Sequence, residues 1–337
     1  MNNRDKLYAL LNGKTSSVPF MPIFMRFCAR RGNVAYRDFV LDAVSHCEAN
    51  ISVAERFGSC WVNVMSDPWC ELDAYGGKID YVADDLPLNQ EIFCRTINDA
   101  AHVCDLNIWG NHRTRGRLEQ LQLFKQCCAD RFSICGWVEG PVAEYCDWRG
   151  MENAFLDFYD DPGRVEAAIE TILRNAERFI NAQIDAGADC VGIGDAACSQ
   201  IGRDFYLKFA RDGEKRLIDA IHRRGAIAKL HICGNTSAIL PDMISTGADI
   251  IDIDHLVRDM SGAVGLLAEH QFFCGNLDPV SVIQDGSFDA IRSAVKFALA
   301  QAPGKLIISG GCEITPDTPD DHLLFINSLA ESSGTTE

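Results

Sequence analysis

The chain has 337 residues, of which 47% are hydrophobic and 23% are charged, as is usual for a globular protein. Its 31 basic and 48 acidic residues give a net charge of −17, which argues against binding of nucleic acid or of an anionic membrane. The first residues, 1–6, lack the apolar stretch of a signal peptide, and no segment approaches eighteen consecutive apolar residues. The fifteen cysteines form no CxxC…CxxC pattern, so reduced thiols in the cytoplasm are expected.

Short apolar runs rich in β-branched residues alternate along the chain with longer segments of helical periodicity. Eight runs are predicted as strands: 18–24, 60–65, 132–138, 190–193, 227–231, 250–253, 272–274 and 306–308. Helices are predicted at 161–186, 205–223 and 237–245, and a glycine follows each of them closely (Gly187, Gly225 and Gly247). A segment rich in Gly, Pro and Asp, 67–98, is predicted as a long loop or hairpin over one end of the sheet.

Eight strand–helix units predict an α/β fold, specifically a (β/α)8 TIM barrel that forms a single domain over residues 1–337. Residues 332–337 are expected to be a frayed tail. An open, doubly wound sheet is the alternative. No glycine-rich dinucleotide fingerprint supports that alternative, because Gly192 and Gly194 lack the third glycine of the motif.

The most informative pattern is an H-x-C motif at one predicted strand end and a single cysteine at another. His231 and Cys233 follow the strand at 227–231, and Cys312 follows the strand at 306–308. The carboxyl ends of barrel strands converge on one pocket, so these three side chains are predicted to bind one zinc ion. Three protein ligands leave a fourth position open, which is typical of catalytic rather than structural zinc. The alternative is two ordinary cysteines beside a core histidine.

Other ionisable or polar residues follow the remaining strands and predict an active site at this edge. Asp67 and Glu313 are candidate catalytic residues, although Asp67 precedes a proline and could instead cap a turn. Asp195, Asn276 and Arg26 are candidate substrate-binding residues. Asp195 could equally cap the helix that follows it, and Arg26 could be an ordinary surface arginine.

The sequence resembles the uroporphyrinogen decarboxylase superfamily, and within it the corrinoid-dependent methyltransferases more than the decarboxylases. The segments that carry the resemblance are 65–68 (MSDP), 74–76 (AYG), 136–141 (GWVEGP), 194–199 (GDAACS), 231–236 (HICGNT), 275–279 (GNLDP) and 310–317 (GGCEITPD). The family's fold is a (β/α)8 barrel, and its methyltransferases hold zinc through an H-x-C…C motif that falls here on His231, Cys233 and Cys312. Cys312 stands where the decarboxylases have a histidine, and 25–30 (MRFCAR) is a degraded form of their M-R-Q-A-G-R motif.

The resemblance implies methyl transfer between a corrinoid and a small substrate such as a thiol or a methylated donor, with Zn²⁺ as cofactor. No D-x-H-x-x-G motif for corrinoid binding is present, so the corrinoid is expected on a small partner protein that docks transiently over the site. Two other functions stay open. One is a decarboxylase acting on a tetrapyrrole, for which Asp67 matches the family's aspartate, and the other is a non-catalytic barrel with a zinc sensor or relic site.

Overall fold

The computed structural model describes residues 2–15 and 17–333, and its central element is a parallel sheet. Within the described residues the sheet has seven strands in the order β1-β4-β5-β6-β7-β8-β9. They are β1 (Trp61–Asn63), β4 (Ser133–Glu139), β5 (Cys190–Gly194), β6 (Ile227–Ile232), β7 (Ile250–Ile253), β8 (Phe272–Leu277) and β9 (Leu306–Gly310). β2 (Ile79–Asp80) and β3 (Leu88–Asn89) form a separate antiparallel hairpin. The α/β class and seven of the eight predicted strands are therefore confirmed.

Helices lie before, between and after the strands of the sheet, as the alternation of patterns in the sequence predicts, and the connection from β7 to β8 contains a 3-10 helix, Ser261–Leu266. The α-helices are α1 (Asn3–Leu11), α2 (Arg26–Arg31), α3 (Tyr36–Leu41), α4 (Ala43–Phe57), α5 (Cys70–Tyr75), α6 (Ile97–Ala100), α7 (His112–Cys128), α8 (Pro141–Arg149), α9 (Met151–Asp160), α10 (Pro162–Ala186), α11 (Gly202–Phe209), α12 (Arg211–Arg223), α13 (Leu240–Ser245), α14 (Phe288–Gln301) and α15 (Asp320–Ser333). Among residues 2–15 and 17–333, no α-helix combines the length and the apolar character that a membrane span requires.

The predicted segment 18–24 is the eighth run, and it forms two isolated bridges rather than a strand. Phe20 accepts a hydrogen bond from the backbone N–H of Cys60, directly before β1, while the Met21 N–H donates to Ile308 of β9. One short segment thus contacts both edges of the sheet, which shows that the sheet is curled. Pro19 and Pro22 have no N–H to donate, and this explains why the ladder does not extend along the segment.

Three further predictions differ in detail from the structure. The predicted helix 205–223 is two helices, α11 and α12, separated at Ala210. The predicted helix 237–245 begins only at Leu240. The predicted loop 67–98 contains α5, the β2–β3 hairpin and the first residues of α6. Of the expected tail 332–337, residues 332 and 333 end α15 and residues 334–337 lie outside the described part of the chain.

Candidate metal centre

The three predicted zinc ligands lie together at the carboxyl edge of the sheet. The His231 Nε2 atom is 2.9 Å from the Sγ atom of Cys233, which is 3.6 Å from the Sγ atom of Cys312. One ligand atom from each residue falls within 4.8 Å of the others, a spacing that allows a single metal ion to be held between them. β6 and β9 are separated in the sheet by β7 and β8, so the curl of the sheet brings their ends together.

The second ring nitrogen of His231 faces a buried carboxylate. His231 Nδ1 is 3.1 Å from Oδ2 of Asp252, its register partner on β7. The same Oδ2 atom is 2.5 Å from Nζ of Lys229, and the side chains of Lys229 and Asp252 are both fully buried. A carboxylate at Nδ1 fixes the orientation of the ring and turns Nε2 toward the thiols, as in many metal sites.

The electrostatics of the cluster favour a bound positive charge. A hydrogen bond with the Cys233 thiol, opposed by burial and helped by His231, lowers the pKa of Cys312 to about 4. Burial lowers the pKa of His231, but Asp252 and Cys312 outweigh burial and raise this pKa to about 10. Asp252 and Cys312 thus hold a proton on the His231 imidazole. A divalent cation would replace the positive charge of that proton when the thiols and the ring are deprotonated.

The cluster opens into a small cavity of about 140 Å³. Its remaining walls are mainly apolar and include Ile23, Met25, Met65 and Trp137. The indole of Trp137 lies 6.3 Å from the imidazole of His231, between ring centroids. An apolar wall beside a metal-ligand cluster is a common arrangement for small-molecule sites.

Two predicted site residues, Glu313 and Arg26, form one ion pair at the edge of this cavity. Arg26 Nη2 is 3.2 Å from Glu313 Oε2, and the Arg26 backbone N–H donates to Glu313 Oε1 at 2.9 Å. Arg26 also contacts the exposed Asp85 at 3.3 Å. Glu313 lines the metal-side cavity, while Arg26 lines a neighbouring cavity on the other side of the pair. Burial raises the pKa of Glu313, although Arg26 opposes this.

Asp67 also lines the cavity, but neighbouring residues fix its carboxylate through an ion pair and two hydrogen bonds. It pairs with the buried Arg113, accepts a hydrogen bond from the Ser66 hydroxyl at 2.6 Å and accepts one from the Trp69 N–H at 3.0 Å. Burial opposes ionisation, yet Arg113 and Arg117 lower the pKa of Asp67 below its ordinary value. Asp67 is therefore a fixed carboxylate in the wall.

The other two predicted site residues do not line this cavity. Asp195 is 0% exposed and accepts hydrogen bonds from the N–H groups of Val142 and Ala143, so it caps α8. The sequence left a capping role open, but for the helix after Asp195 rather than the helix before it. The Asn276 amide donates to the Val257 carbonyl at 2.7 Å and lines a separate groove.

Two residues outside the predicted set, Glu139 and Asp252, also lie at the site. Glu139, within the segment 136–141, lines the metal-side cavity, and its Oε1 atom is 3.2 Å from Trp137 Nε1. Asp252 supports His231 through the pairing of β6 and β7. The alternation of Asp252 with isoleucines indicates that it lies on one face of β7, but the register with His231 is a property of the folded sheet.

One protein-family model matches nearly the whole chain. The model of the family described as uroporphyrinogen decarboxylase (URO-D) matches residues 2–332. The chain belongs to the uroporphyrinogen decarboxylase family. This confirms the resemblance that the sequence motifs indicate.

Individual relatives carry two different names. The chain is 36% identical over 147 residues to the methylcobamide:CoM methyltransferase MtbA of Methanosarcina mazei, a match that covers 43% of this chain and 42% of that protein. It is 30% identical over 213 residues to a uroporphyrinogen decarboxylase of Prochlorococcus marinus, covering 60% of this chain and 59% of that protein. The aligned regions thus span about half of these relatives.

A solved structure of a methyltransferase from Methanosarcina mazei superimposes with a TM-score of 0.87 and covers 99% of both chains. Its sequence identity is 18%, so this similarity shows the fold alone.

Proposed function

We propose that the chain is a zinc-dependent methyltransferase that moves a methyl group between a corrinoid on a separate small protein and a small second substrate. The single observation that carries the proposal is the meeting of His231, Cys233 and Cys312 within 4.8 Å at the end of a small cavity. The MtbA relative, named a methylcobamide:CoM methyltransferase, supports the same reaction class.

The three donors fit zinc by their chemistry. Two thiolates and an imidazole are the soft and borderline ligands that zinc prefers, and three protein ligands leave a position for a substrate atom. Zinc bound there would activate a thiol as thiolate or polarise the heteroatom of a methylated donor.

The surrounding residues would orient the metal ligands and keep water away from the methyl group during its transfer. Asp252 holds the ring of His231, and the apolar wall formed by Ile23, Met65 and Trp137 limits the access of water. Glu313, beside Cys312 and in the same cavity, is placed to receive the proton that a thiol loses on binding. Asp67 stays a predicted catalytic residue, and its ion pair with Arg113 supports a role in positioning.

The size of the cavity supports a corrinoid that arrives on a partner. A volume of about 140 Å³ accommodates a small substrate but not a corrin macrocycle, so the methyl group would pass at the mouth of the cavity. The partner is proposed to dock there transiently. We further propose that residues 18–24 complete an eight-stranded barrel and that the chain forms one domain over residues 1–337.

The decarboxylase alternative is weakened by the state of the arginines near the N-terminus. Arg26 is paired with Glu313 and Asp85, and Arg30 is paired with Asp317 at 2.5 Å. Arg31 contacts Asp320 at 2.6 Å. Guanidinium groups already bound to carboxylates are poor partners for the acidic side chains of a tetrapyrrole, since a resident ion pair must be broken first.

The proposal is tested by incubating zinc-loaded protein with methylcobalamin and 2-mercaptoethanol while following the loss of methylcobalamin by its absorbance. We expect demethylation that depends on the protein, is lost in Cys312→Ser and is retained in Cys128→Ser. Cys128 is a matched control because it is a buried thiol on α7, outside the cluster, and donates to the Phe124 carbonyl as serine also can. Equal rates in Cys312→Ser and the wild type would contradict the proposal.

A further inference from the structure

Among the described residues, the walls of the metal-side cavity and of a second cavity beside it contain acidic side chains but no lysine or arginine. This second cavity, of about 220 Å³, adjoins the metal-side cavity, and the two share Pro68, Glu139 and Ala196 as lining residues. The walls contain four carboxylic side chains, from Asp67, Glu139, Asp147 and Glu313.

Two of these four carboxyl groups are neutralised by neighbouring arginines. Asp67 is paired with Arg113, and Glu313 is paired with Arg26. These arginines are therefore occupied and lie behind the carboxylates that face the cavity. Lys229, the buried cation near His231, is likewise paired with Asp252.

Among the described residues, neither Glu139 nor Asp147 forms an ion pair with a lysine or an arginine, although the charge of the nearby Arg117 lowers the pKa of Glu139 in part. Glu139 is 8% exposed, and the indole N–H of Trp137 donates to its Oε1 atom at 3.2 Å. Asp147, on α8, has its Oδ2 atom buried without a hydrogen-bond partner, and it lines the second cavity together with Glu139. Burial, together with the carboxyl groups nearby, holds the pKa of both residues well above the ordinary range. An unpartnered buried carboxyl is costly, and a donor or a cation supplied by a ligand would remove that cost.

We propose that the second substrate carries a cationic ammonium group, which binds between Glu139 and Asp147 while its reacting atom lies at the metal cluster. This inference rests on the proposed function, and it separates the chain from the relatives named for coenzyme M. Coenzyme M carries a sulfonate at the end opposite its thiol, and the described wall residues include no lysine or arginine to pair with this anion. Burying a sulfonate beside carboxyl groups is unfavourable, because both the lost hydration and the like charges oppose it.

The test uses three thiols that share the HS–CH2–CH2– unit and differ only in the terminal group. Cysteamine ends in an ammonium, 2-mercaptoethanol in a hydroxyl and coenzyme M in a sulfonate. Protein loaded with Co²⁺ reports binding of each thiol by its sulfur-to-cobalt absorption band, without any methyl transfer. Because the thiols differ in their own acidity, each affinity is compared between the wild type and Asp147→Asn, and this ratio cancels that difference.

We expect Asp147→Asn to weaken cysteamine binding roughly ten- to hundredfold, as for the loss of a charged hydrogen bond, and to leave 2-mercaptoethanol nearly unchanged. Coenzyme M should bind equally well or better in the variant. Asp160→Asn is the matched control, since it removes one carboxylate from the exposed end of α9. Asp147→Asn leaves no partner stranded at Oδ2, so it should fold normally. A cysteamine affinity that does not fall selectively, or wild-type protein that prefers coenzyme M over cysteamine, would overturn the inference.

Failure of the proposed function gives a different result. If the protein takes up no Co²⁺ or Zn²⁺, the methyltransferase proposal fails, and the ammonium site is then judged on metal-free protein. Saturation-transfer NMR with ethylammonium and ethanesulfonate serves this purpose. Contact with ethylammonium that Asp147→Asn abolishes supports the site, and contact with ethanesulfonate alone, or with neither ion, overturns it.

Discussion

At the scale of single residues, the cluster is organised by the carboxylate behind His231 as much as by the three candidate ligands. Lys229 and His231 lie two positions apart on β6 and therefore face the same way, toward Asp252 on β7. Although burial opposes its charge, Asp252 holds the pKa of Lys229 above its ordinary value. The Lys229 ammonium in turn allows Asp252 to stay ionised in the interior, where it can hold the His231 ring.

Replacing Asp252 tests this arrangement. We expect Asp252→Asn to lower zinc affinity by about 10- to 100-fold, because the His231 ring loses its orienting carboxylate. The affinity is measured by competition with a chromophoric chelator. The substitution also leaves Lys229 buried without its anion, which costs about 3–5 kcal/mol of stability, so urea unfolding is recorded in parallel. Unchanged zinc affinity in the folded variant would refute the role of Asp252.

The sequence predicts the candidate ligands but not their support. His231, Cys233 and Cys312 follow apolar runs that are recognisable as strands, so their convergence follows from the fold class. Asp252 supports His231 only because β6 and β7 pair in one particular register, and a strand pattern does not specify the register of its neighbour. The capping of α8 by Asp195 is likewise a contact between distant segments.

At the scale of elements, the glycines of β5 make room for the aromatic wall of the cavity. A Cβ atom added at Gly192 would lie 2.3 Å from the ring of Trp137, and one at Gly194 would lie 2.8 Å from it. Trp137 is on β4, where it is the register partner of Gly192. The small residues on one strand and the large residue on the next thus fit each other.

Substitution at these glycines tests that fit. Gly192→Ala should destabilise the protein by about 1–3 kcal/mol, because the methyl group overlaps the Trp137 ring. Gly116→Ala is the matched control: Gly116 lies within α7 with open space around its Cα, and alanine there should stabilise by about 0.5–1 kcal/mol. Both values come from urea unfolding. The prediction is wrong if the two substitutions change stability in the same direction.

His222, near the end of α12, makes a pH-dependent contact with Asp249, the residue directly before β7. His222 Nε2 is 2.8 Å from Asp249 Oδ2, and this hydrogen bond, opposed in part by burial, raises the pKa of His222 above 6.5. The folded state binds the proton more tightly, so the contact stabilises the protein fully below pH 6.5, and the stabilisation is lost as pH rises through the raised pKa. NMR titration should show this elevated pKa and its return toward 6.5 in Asp249→Asn. A wild-type pKa of His222 at or below 6.5 would disprove the assignment.

The boundaries of some elements lie beyond what periodicity can specify. The apolar pattern of residues 205–223 continues across Ala210, where the structure separates α11 from α12. Apolar periodicity indicates which face of a helix is buried but not whether the helix axis is continuous. The pattern therefore predicts a single helix here. The glycines after α10 and near the ends of α12 and α13 fixed those ends more accurately, since they allow left-handed turns.

At the scale of the whole molecule, the curl of the sheet is what creates the site. Cys233 and Cys312 are 79 residues apart and follow strands that do not pair, yet their sulfur atoms are 3.6 Å apart. The sequence predicts this meeting only through the assumption of a barrel. Seven predicted strands are confirmed, whereas the segment at 18–24 forms two bridges with β9 and the residues after it and reaches the β1 edge through the Cys60–Phe20 hydrogen bond. The prolines in that segment limit its pairing, and the pattern of apolar residues alone did not reveal this limit.

If the curled sheet builds one metal centre from His231, Cys233 and Cys312, the purified protein should contain a bound metal ion, which elemental analysis measures directly. Zinc is measured in purified wild-type protein beside Cys312→Ser and the control Cys128→Ser. We expect about one zinc per chain in the wild type and the control, and loss of the zinc in Cys312→Ser. Wild-type protein prepared without chelators that neither contains zinc nor takes up added zinc would contradict a metal centre at these residues, as would full zinc occupancy in Cys312→Ser.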